Sequence, residues 1–292
     1  MLRLALSAAC IGFAPIFVRV IKMGPSLIGF YRCGFAALFL YAYRLGKRRV
    51  SWTSWTAEIW RLVIQAGALF ALDLFVWHRS VLYAGAALGT LLAGTQVIYV
   101  ALIGVIVHKE RLTSRLTLAV LLALIGVALL VGRNLTPDGY PRYGCGVLFG
   151  LSTGIVYSGY ILTMRRLEGI KKTIPTEHLL MMVSAVAAVF LLPLAHWEHD
   201  LRLPVGSEWA LLIGLAFVAQ VLGWMLLTRA FPTVPASQVG LILNMQPLVA
   251  VVSAAIILGE RFNFSQLAGA FITLTAITIS SPRKKPKTQS VT

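Results

Sequence analysis

Two side chains of opposite charge, Asp73 and Arg32, lie inside long apolar stretches of the sequence. Asp73 is the only acid well inside any of these stretches. If the stretches cross a bilayer, a charge near the middle costs roughly 2.5 to 3.5 kcal/mol on insertion scales, which disfavours a charge without a task. Two interpretations stay open. Either Asp73 binds a cationic group or a proton and Arg32 binds a carboxylate or phosphate, or the two form a structural ion pair.

Three uncharged polar residues interrupt other apolar stretches: Gln96, Asn244 and Gln246. A buried amide needs hydrogen-bond partners in an apolar medium, and either a substrate or a neighbouring helix supplies them. Asn244 and Gln246 flank Pro247, which lies in the middle of its stretch. A proline there removes a backbone donor and bends a helix, so we interpret Pro247 as a kink or gate.

Aromatic residues complete the predicted substrate site. Trp77 lies one helical turn after Asp73, and Ser80 lies about two turns after Asp73. All three therefore share a face and are expected to line a cavity together. Tyr157 and Trp224 lie in the middle of other apolar stretches. Packing in the core is the alternative for both, and we assign them to the cavity.

Other charged residues lie near the ends of the apolar stretches. We expect His78 and Arg79 at the rim, because their polar ends reach the membrane interface without needing a functional role. The acidic loop at 198–200 is expected to be solvated. Glu110 and Glu260 stand at corners between two stretches, where each caps a helix or forms a weak exposed pair with the arginine that follows it.

Ten apolar stretches must position these residues. Hydrophobic residues make up 58% of the chain and charged residues only 12%, against about 25% charged residues in a typical soluble domain. A membrane-spanning helix needs about 20 mostly apolar residues. The predicted spans are 2–21, 27–45, 62–82, 84–107, 115–132, 143–163, 178–197, 208–228, 235–258 and 265–281. The sequence therefore predicts an all-α integral membrane protein without a sizeable soluble domain.

The second half of the chain repeats the first. A shift of 150 residues places Tyr83–Val131 on Thr233–Ser281 without a gap. Four polar identities fall in this register: Arg79 with Arg229, Gln96 with Gln246, Glu110 with Glu260, and Arg111 with Arg261. Duplicated hydrophobic halves in opposite orientation are typical of transporters, in which two similar halves enclose one site.

Positive charges indicate how the spans are oriented. Eighteen of the 26 lysines and arginines fall on the side of the termini and of alternate loops, seven fall on the other side, and Arg32 lies within a span. The positive-inside rule places the richer side, with both termini, in the cytoplasm. Because each half has five spans, an odd number, the second half is inverted relative to the first.

These observations divide the chain into four segments. We predict a first five-helix repeat at 1–132, an external connector at 133–142, a second five-helix repeat at 143–281 and a basic cytoplasmic tail at 282–292. The predicted fold is thus ten transmembrane helices arranged as two inverted five-helix repeats.

Glycines spaced by four occur in the sixth span. Gly146, Gly150 and Gly154 predict that another helix packs closely on this face. The run 150–154 also matches the G-x-S-x-G pattern of serine hydrolases, but that pattern needs a turn between a strand and a helix. Inside a span, with no acid or histidine to activate the serine, it does not indicate hydrolysis.

Short motifs in both halves have a recognisable pattern. They are Pro15-Ile16-Phe17-Val18-Arg19, Leu72-Asp73-Leu74-Phe75-Val76-Trp77 and Lys109-Glu110-Arg111-Leu112 in the first half, and Gln246-Pro247-Leu248 and Leu258-Gly259-Glu260-Arg261 in the second. Together they resemble the EamA-type members of the drug/metabolite transporter superfamily, over nearly the whole chain. The resemblance implies a ten-helix inner-membrane carrier of small metabolites, with its site at the centre between the halves.

The remaining signals separate a carrier from other functions. The net charge of +16 fits a cytoplasmic rim facing anionic lipid, so nucleic acid is not an expected partner. The cysteines lack metal-ligand spacing, and we expect neither a metal nor another cofactor.

We predict a secondary-active carrier and not an enzyme. It exports small metabolites, such as amino acids or related polar compounds, by alternating access, as a monomer or a homodimer, with proton coupling left open. The alternatives are a membrane receptor or chaperone without transport, or an intramembrane enzyme.

Overall fold

A computed structural model describes residues 2–46, 55–107, 114–131, 140–170, 174–230 and 245–280. Within these ranges the ordered elements are all helical and no strand is present, which confirms the all-α prediction. The helices are α1 Leu2–Gly12, α2 Ala14–Val20, α3 Pro25–Leu45, α4 Ala57–Ala84, α5 Ala86–Ala93, α6 Gln96–Val107, α7 Ser114–Val131, α8 Tyr143–Ile170, α9 Thr176–Trp197, α10 Glu208–Leu215, α11 Trp224–Ala230, α12 Met245–Ile257 and α13 Phe264–Ser280. A π-helical segment, Ala216–Gly223, joins α10 to α11.

Five helical stretches are long and apolar enough to cross a membrane. They are Pro25–Leu45, Ala57–Ala84, Tyr143–Ile170, Thr176–Trp197 and Glu208–Arg229. The described residues also include five shorter apolar helical stretches: Ala5–Val20, Ala86–Val100, Thr117–Leu130, Met245–Ile257 and Phe264–Ile279. Each of the ten predicted apolar stretches is therefore represented by helix in the part of the chain that is described.

Three predicted spans are interrupted rather than uniform. The first breaks at Phe13, just before Pro15, which has no backbone N–H to donate. The fourth breaks at Gly94 and Thr95, between α5 and α6. There the Thr95 Oγ1 donates to the Leu92 carbonyl over 2.6 Å and occupies an acceptor at the helix end. The eighth changes to π-helical geometry at Ala216–Gly223, and such segments often occur at functional sites.

Helices of each half pack on helices of the other half, and these contacts come in equivalent pairs. The first half's α4 packs on α8, and the second half's π-helical segment and α11 pack on α1. In the same way, the contact of α5 with α8 matches that of α12 with α1, and the contact of α4 with α9 matches that of the π-helical segment with α3. Three further contacts, α3 with α9, α5 with α12 and α7 with α13, each join corresponding spans of the two halves.

The glycine face of α8 packs closely on the first half, as predicted. A β-carbon on Gly146 would lie 2.8 Å from the Ala84 Cβ, and one on Gly150 would lie 2.7 Å from the Ser80 Oγ. A β-carbon on Gly154 would lie 2.5 Å from the Thr95 Oγ1. Larger side chains at these positions would push α8 away from α4 and α5.

Candidate functional site

A central cavity lies between the two halves of the bundle. Every predicted site residue that the structure describes lines it: Arg32, Asp73, Trp77, Gln96, Tyr157, Trp224, Gln246 and Pro247. Asn244 lies outside the described residues. The other lining residues are Ile11, Ala14, Phe70, Leu74, Thr90, Ala93, Gly94 and Thr153. Both halves contribute, so a molecule bound there would contact both.

One face of α4 supplies the acid and an aromatic wall. Asp73 and Trp77 are four residues apart, and both side chains line the cavity. Ser80 does not join them, which corrects the expectation of three cavity-lining residues on this face. Its hydroxyl donates to the Gly146 carbonyl over 2.8 Å and therefore belongs to the interface of α4 with α8.

The duplicated glutamines occupy equivalent places in the two halves. Gln96 is the first residue of α6, and Gln246 is the second residue of α12. Both side chains are buried and line the central cavity. Pro247 lies in the first turn of α12, and the residues that precede Met245 in its predicted span lie outside the described ranges.

Four polar atoms in this cavity are buried without a hydrogen-bond partner among the described residues. They are Arg32 Nη1, Asp73 Oδ1, Gln96 Oε1 and Gln246 Nε2. Their residues are only 3%, 6%, 3% and 7% exposed, respectively. A buried polar group left unpaired costs about 1 to 3 kcal/mol, and more when charged. A ligand that paired with several of these atoms would recover that free energy.

Arg32 and Asp73 share the cavity without a direct ion pair, and both side chains are described. The Arg32 Nε instead donates to Gln220 Oε1 over 3.1 Å. The Arg32 guanidinium also lies 5.7 Å from the Trp77 ring centroid and 5.9 Å from that of Phe70. Gln220 and the two rings orient the cation, and Nη1 is buried without a hydrogen-bond partner among the described residues.

Aromatic side chains form one wall of the cavity. The Phe70 and Tyr160 rings stack with their centroids 4.8 Å apart, and Trp224 meets Tyr160 edge-on at 5.1 Å. Tyr157 meets Trp224 edge-on at 6.0 Å. Rings packed in this way are more rigid than aliphatic side chains and give the cavity a fixed apolar wall.

The cavity is small in this conformation. The space available to the centres of water molecules is about 60 Å³, which holds a few waters. Pockets that enclose small organic ligands are several times larger, roughly 300 to 1,000 Å³.

Some residues of the site escaped the sequence analysis. Thr90, Thr153 and Phe70 line the cavity, and Gln220 holds Arg32. Gln220 carries the same signal as Gln96, a polar side chain inside an apolar stretch. The two threonines and Phe70 carry no comparable signal, because such residues are common in ordinary packed helices.

The expectation that His78 and Arg79 lie at an exposed rim is wrong. His78 is fully buried, and its Nδ1 lies 2.8 Å from the Pro25 carbonyl oxygen. Arg79 is 6% exposed, donates to the Phe75 carbonyl over 2.6 Å and forms an ion pair with Glu198. The buried Arg79 cation is stabilised by its acidic partner rather than by solvent.

The loop that follows α9 is only partly solvated: His199 is exposed, whereas Glu198 and Asp200 are half-buried. Glu198 accepts hydrogen bonds from the backbone N–H and the hydroxyl of Ser26, and Asp200 accepts one from the Gly24 N–H. Both acids therefore bind the N-terminus of α3, where the helix dipole favours negative charge. We call this arrangement, with Arg79, the Glu198 cluster.

Glu260 caps a helix, one of the two roles expected for it. Its carboxylate accepts hydrogen bonds from the Ala86 N–H over 2.8 Å and from the Ala87 N–H over 3.3 Å, at the start of α5. Gly85 precedes this helix at a φ of 101°, which favours glycine. The equivalent Glu110 lies outside the described residues.

Known proteins resemble this chain in sequence and in fold. One relative, "Probable amino-acid metabolite efflux pump" of Salmonella typhimurium, is 25% identical over 67% of this chain and 67% of its own length. A second, "Uncharacterized transporter YetK" of Bacillus subtilis, is 24% identical over 67% of this chain and 59% of its own length, so the match leaves about two fifths of that protein uncovered. A solved crystal structure superposes with a TM-score of 0.64 at 16% identity, covering 96% of this chain and 94% of the other, which shows a shared fold.

The family comparison matches the chain twice. The model of the EamA-like transporter family covers residues 1–132 and again residues 144–281. Two matches of one model agree with the equivalent helix contacts that the two halves make and with the apolar helices. This is a multi-pass membrane protein of a transporter rather than an enzyme family, with a small molecule as its substrate, and the chain belongs to the EamA-like transporter family.

Proposed function

We propose that this protein is a secondary-active carrier that exports small zwitterionic metabolites of the amino-acid class by alternating access. The observation that supports this most directly is a cation and an anion with unpaired atoms in one aromatic cavity, Arg32 Nη1 and Asp73 Oδ1. The name of the Salmonella typhimurium relative points in the same direction for substrate and direction of transport.

A zwitterion matches the charges of the cavity. Its carboxylate would accept from Arg32, and its ammonium group would donate to Asp73, so neither buried charge would remain unpaired. Trp77 and Phe70 would hold the apolar part of the molecule beside Arg32. Gln96 and Gln246 offer one polar group from each half, which gives the substrate equivalent partners on both sides of the pseudo-two-fold axis.

The size of the cavity and its broken helices support alternating access. The cavity is too small for a metabolite, so transport requires a wider state open to one side. The joint between α5 and α6 at Gly94 and Thr95, and Pro247 in α12, lie at the cavity wall. Discontinuous helices around a central site are a recurring feature of carriers that rock one half against the other.

We further propose ten spans in the inner membrane, with the second five-helix repeat inverted and both termini cytoplasmic. The repeats are 1–132 and 143–281, joined by an external connector at 133–142 and followed by a cytoplasmic tail at 282–292. Cysteine labelling of intact cells, after replacement of the native cysteines, tests this. Asp138→Cys should react with a membrane-impermeant reagent and Lys47→Cys should not, whereas the opposite pattern would reject the inverted arrangement.

Transport itself is tested with purified protein in vesicles. Vesicles loaded with an unlabelled amino acid should accumulate the labelled form by counterflow, and the screen should cover the amino acids one by one. For the best substrate, the analogue without the carboxylate and the analogue without the amine should both fail to exchange. Binding without counterflow would favour the receptor alternative, and exchange of either analogue would reject the zwitterion.

Substitutions at the two charges separate transport from structural pairing. Asp73→Asn should abolish counterflow while the protein stays folded, whereas Glu58→Gln, which removes an exposed acid from the same helix, should leave transport unchanged. If Asp73 is only a structural partner, Asp73→Asn should lower stability, and adding Arg32→Gln should restore both stability and transport. Restored stability without transport keeps Asp73 in the mechanism.

A further inference from the structure

A second cavity, which we call the lateral cavity, lies between α5, α7, α8, α12 and α13. It offers about 460 Å³ to the centres of water molecules, far more than the central cavity. Leucines and an alanine form its deep walls, among them Leu88, Leu91, Leu130 and Ala270. Arg261 and Glu260 lie at its mouth. An apolar shaft with a charged mouth is the shape that an amphiphile fills.

The mouth of the lateral cavity carries an excess of positive charge. Both Glu260 oxygens accept from the N-terminus of α5, where the helix dipole offsets part of the carboxylate charge. Arg261 is exposed and forms no ion pair within the described part of the chain. The Arg19 guanidinium lies 5.0 Å from the centre of the Tyr140 ring, which also lines the cavity.

Tyr140 adds a neutral donor to these cations. Burial raises the pKa of its phenol, and the nearby Glu260 carboxylate raises it further. The hydroxyl therefore keeps its proton at physiological pH. A phosphate at the mouth would meet the Arg261 guanidinium, a phenol and a carboxylate whose charge is partly offset.

The surroundings of the lateral cavity place it in the membrane. Ile256 on α12 and Phe264 and Phe271 on α13 are 78%, 87% and 73% exposed on the outside of the bundle, where lipid tails are the natural contact. Arg261 joins these two helices, at the level expected for headgroups. Along α13, Ala270 lies six residues beyond Phe264, where the helix begins, which is about 9 Å at 1.5 Å per helical residue. That depth suits part of an acyl chain.

We propose that the lateral cavity binds one anionic phospholipid. Its phosphate contacts Arg261, and one acyl chain lies against Leu88, Leu91 and Leu267. The short helix α5 separates this lipid from the central cavity, because Leu88 and Leu91 line one cavity while Thr90 and Ala93 line the other. The bound lipid thus supports a wall of the proposed substrate site.

Native mass spectrometry of the purified protein tests whether the charge of Arg261 contributes to lipid binding. Mixed micelles should contain phosphatidylglycerol and phosphatidylcholine in equal amounts, and one phosphatidylglycerol should be retained per protein. Arg261→Gln should weaken this binding about fivefold, the effect of one interfacial cation. Arg142→Gln is the matched control, because this exposed cation contacts Tyr83 outside the lateral cavity, and it should retain the lipid. Equal retention of both lipids, or equal loss in both variants, would overturn the proposal.

A second variant tests occupancy of the shaft. Leu267→Trp should fill part of the cavity from an exposed position, displace the acyl chain and remove the thermal protection that phosphatidylglycerol gives. Leu118→Trp, at an exposed position of α7 outside this cavity, should keep that protection. Both readouts report lipid binding and not transport, so their failure would overturn the lipid site and leave the proposed carrier function standing. Protection that survives Leu267→Trp shows that the lipid acts elsewhere.

Discussion

The two ends of α9 hold equivalent arginines in different ways. At its C-terminal end, Arg79 pairs with Glu198, and the two side chains are only 8% and 13% exposed. At its N-terminal end, Arg229 approaches Glu177 with 3.4 Å between Nη2 and Oε2, and the arginine side chain is 48% exposed. The 150-residue repeat makes these arginines counterparts, so the contrast arises from their surroundings and not from residue type.

The Glu198 cluster also involves the start of α3, whereas at the other end Arg229 interacts with Tyr43 as well as with Glu177. Ser26 and Gly24 bind the acids of the cluster, so α3, α4 and the loop after α9 are joined at that end. Under the proposed mechanism this asymmetry is expected, because a carrier caught in one conformation has one end more firmly closed than the other. Under that mechanism, the buried cluster would lie at the closed end.

Among the substitutions that test this comparison, Arg79→Gln should lower stability most. It leaves the Glu198 carboxylate buried without its cation, which should lower the free energy of unfolding by about 3 to 5 kcal/mol. Unfolding in mixed detergent micelles measures it. Adding Glu198→Gln should recover part of the loss, and a loss below that of the exposed pair would contradict a buried cluster.

Ser26→Ala should have an intermediate effect. It removes the hydroxyl that donates to Glu198 but keeps the Arg79 pair and the backbone donor, so the cost should be about 1 to 3 kcal/mol. The same unfolding measurement applies. Ser152→Ala, which removes a hydroxyl that only bonds within its own helix, is the control and should cost less.

Arg229→Gln should have the smallest effect. An exposed ion pair contributes about 0 to 1 kcal/mol, and salt screens it. We expect a loss in that range at low ionic strength that shrinks as salt is added, while the effect of Arg79→Gln persists. A loss as large as that of Arg79→Gln would remove the difference between the two ends.

The sequence predicts the helices well because apolar length is a local property. It predicts them less well where a helix changes type, as in the π-helical segment, because nothing in Ala216–Gly223 distinguishes π from α geometry. The break at Gly94 and Thr95 depends on a side-chain hydrogen bond that becomes visible only once the backbone is in place. Pro247 was a clear signal, yet the segment before it lies outside the described residues.

The central cavity could be anticipated because a polar side chain inside an apolar stretch is conspicuous. That rule found Arg32, Asp73 and the paired glutamines, which the fold brings together. It misjudged Arg79 because distance from the end of a stretch does not reveal an acid from elsewhere in the chain. Glu198 is 119 residues away, and only the tertiary structure makes them partners.

The cap that Glu260 places on α5 has a consequence for how the chain is made. The Ala86 N–H and its acceptor are 174 residues apart, and a ribosome adding about 5 to 20 residues per second needs roughly 9 to 35 s to cover that distance. Throughout this interval the start of α5 must remain hydrated, shielded by the insertion machinery or bound to headgroups. The N-terminus of α5 therefore receives its hydrogen-bond acceptor only after residue 260 has been synthesised.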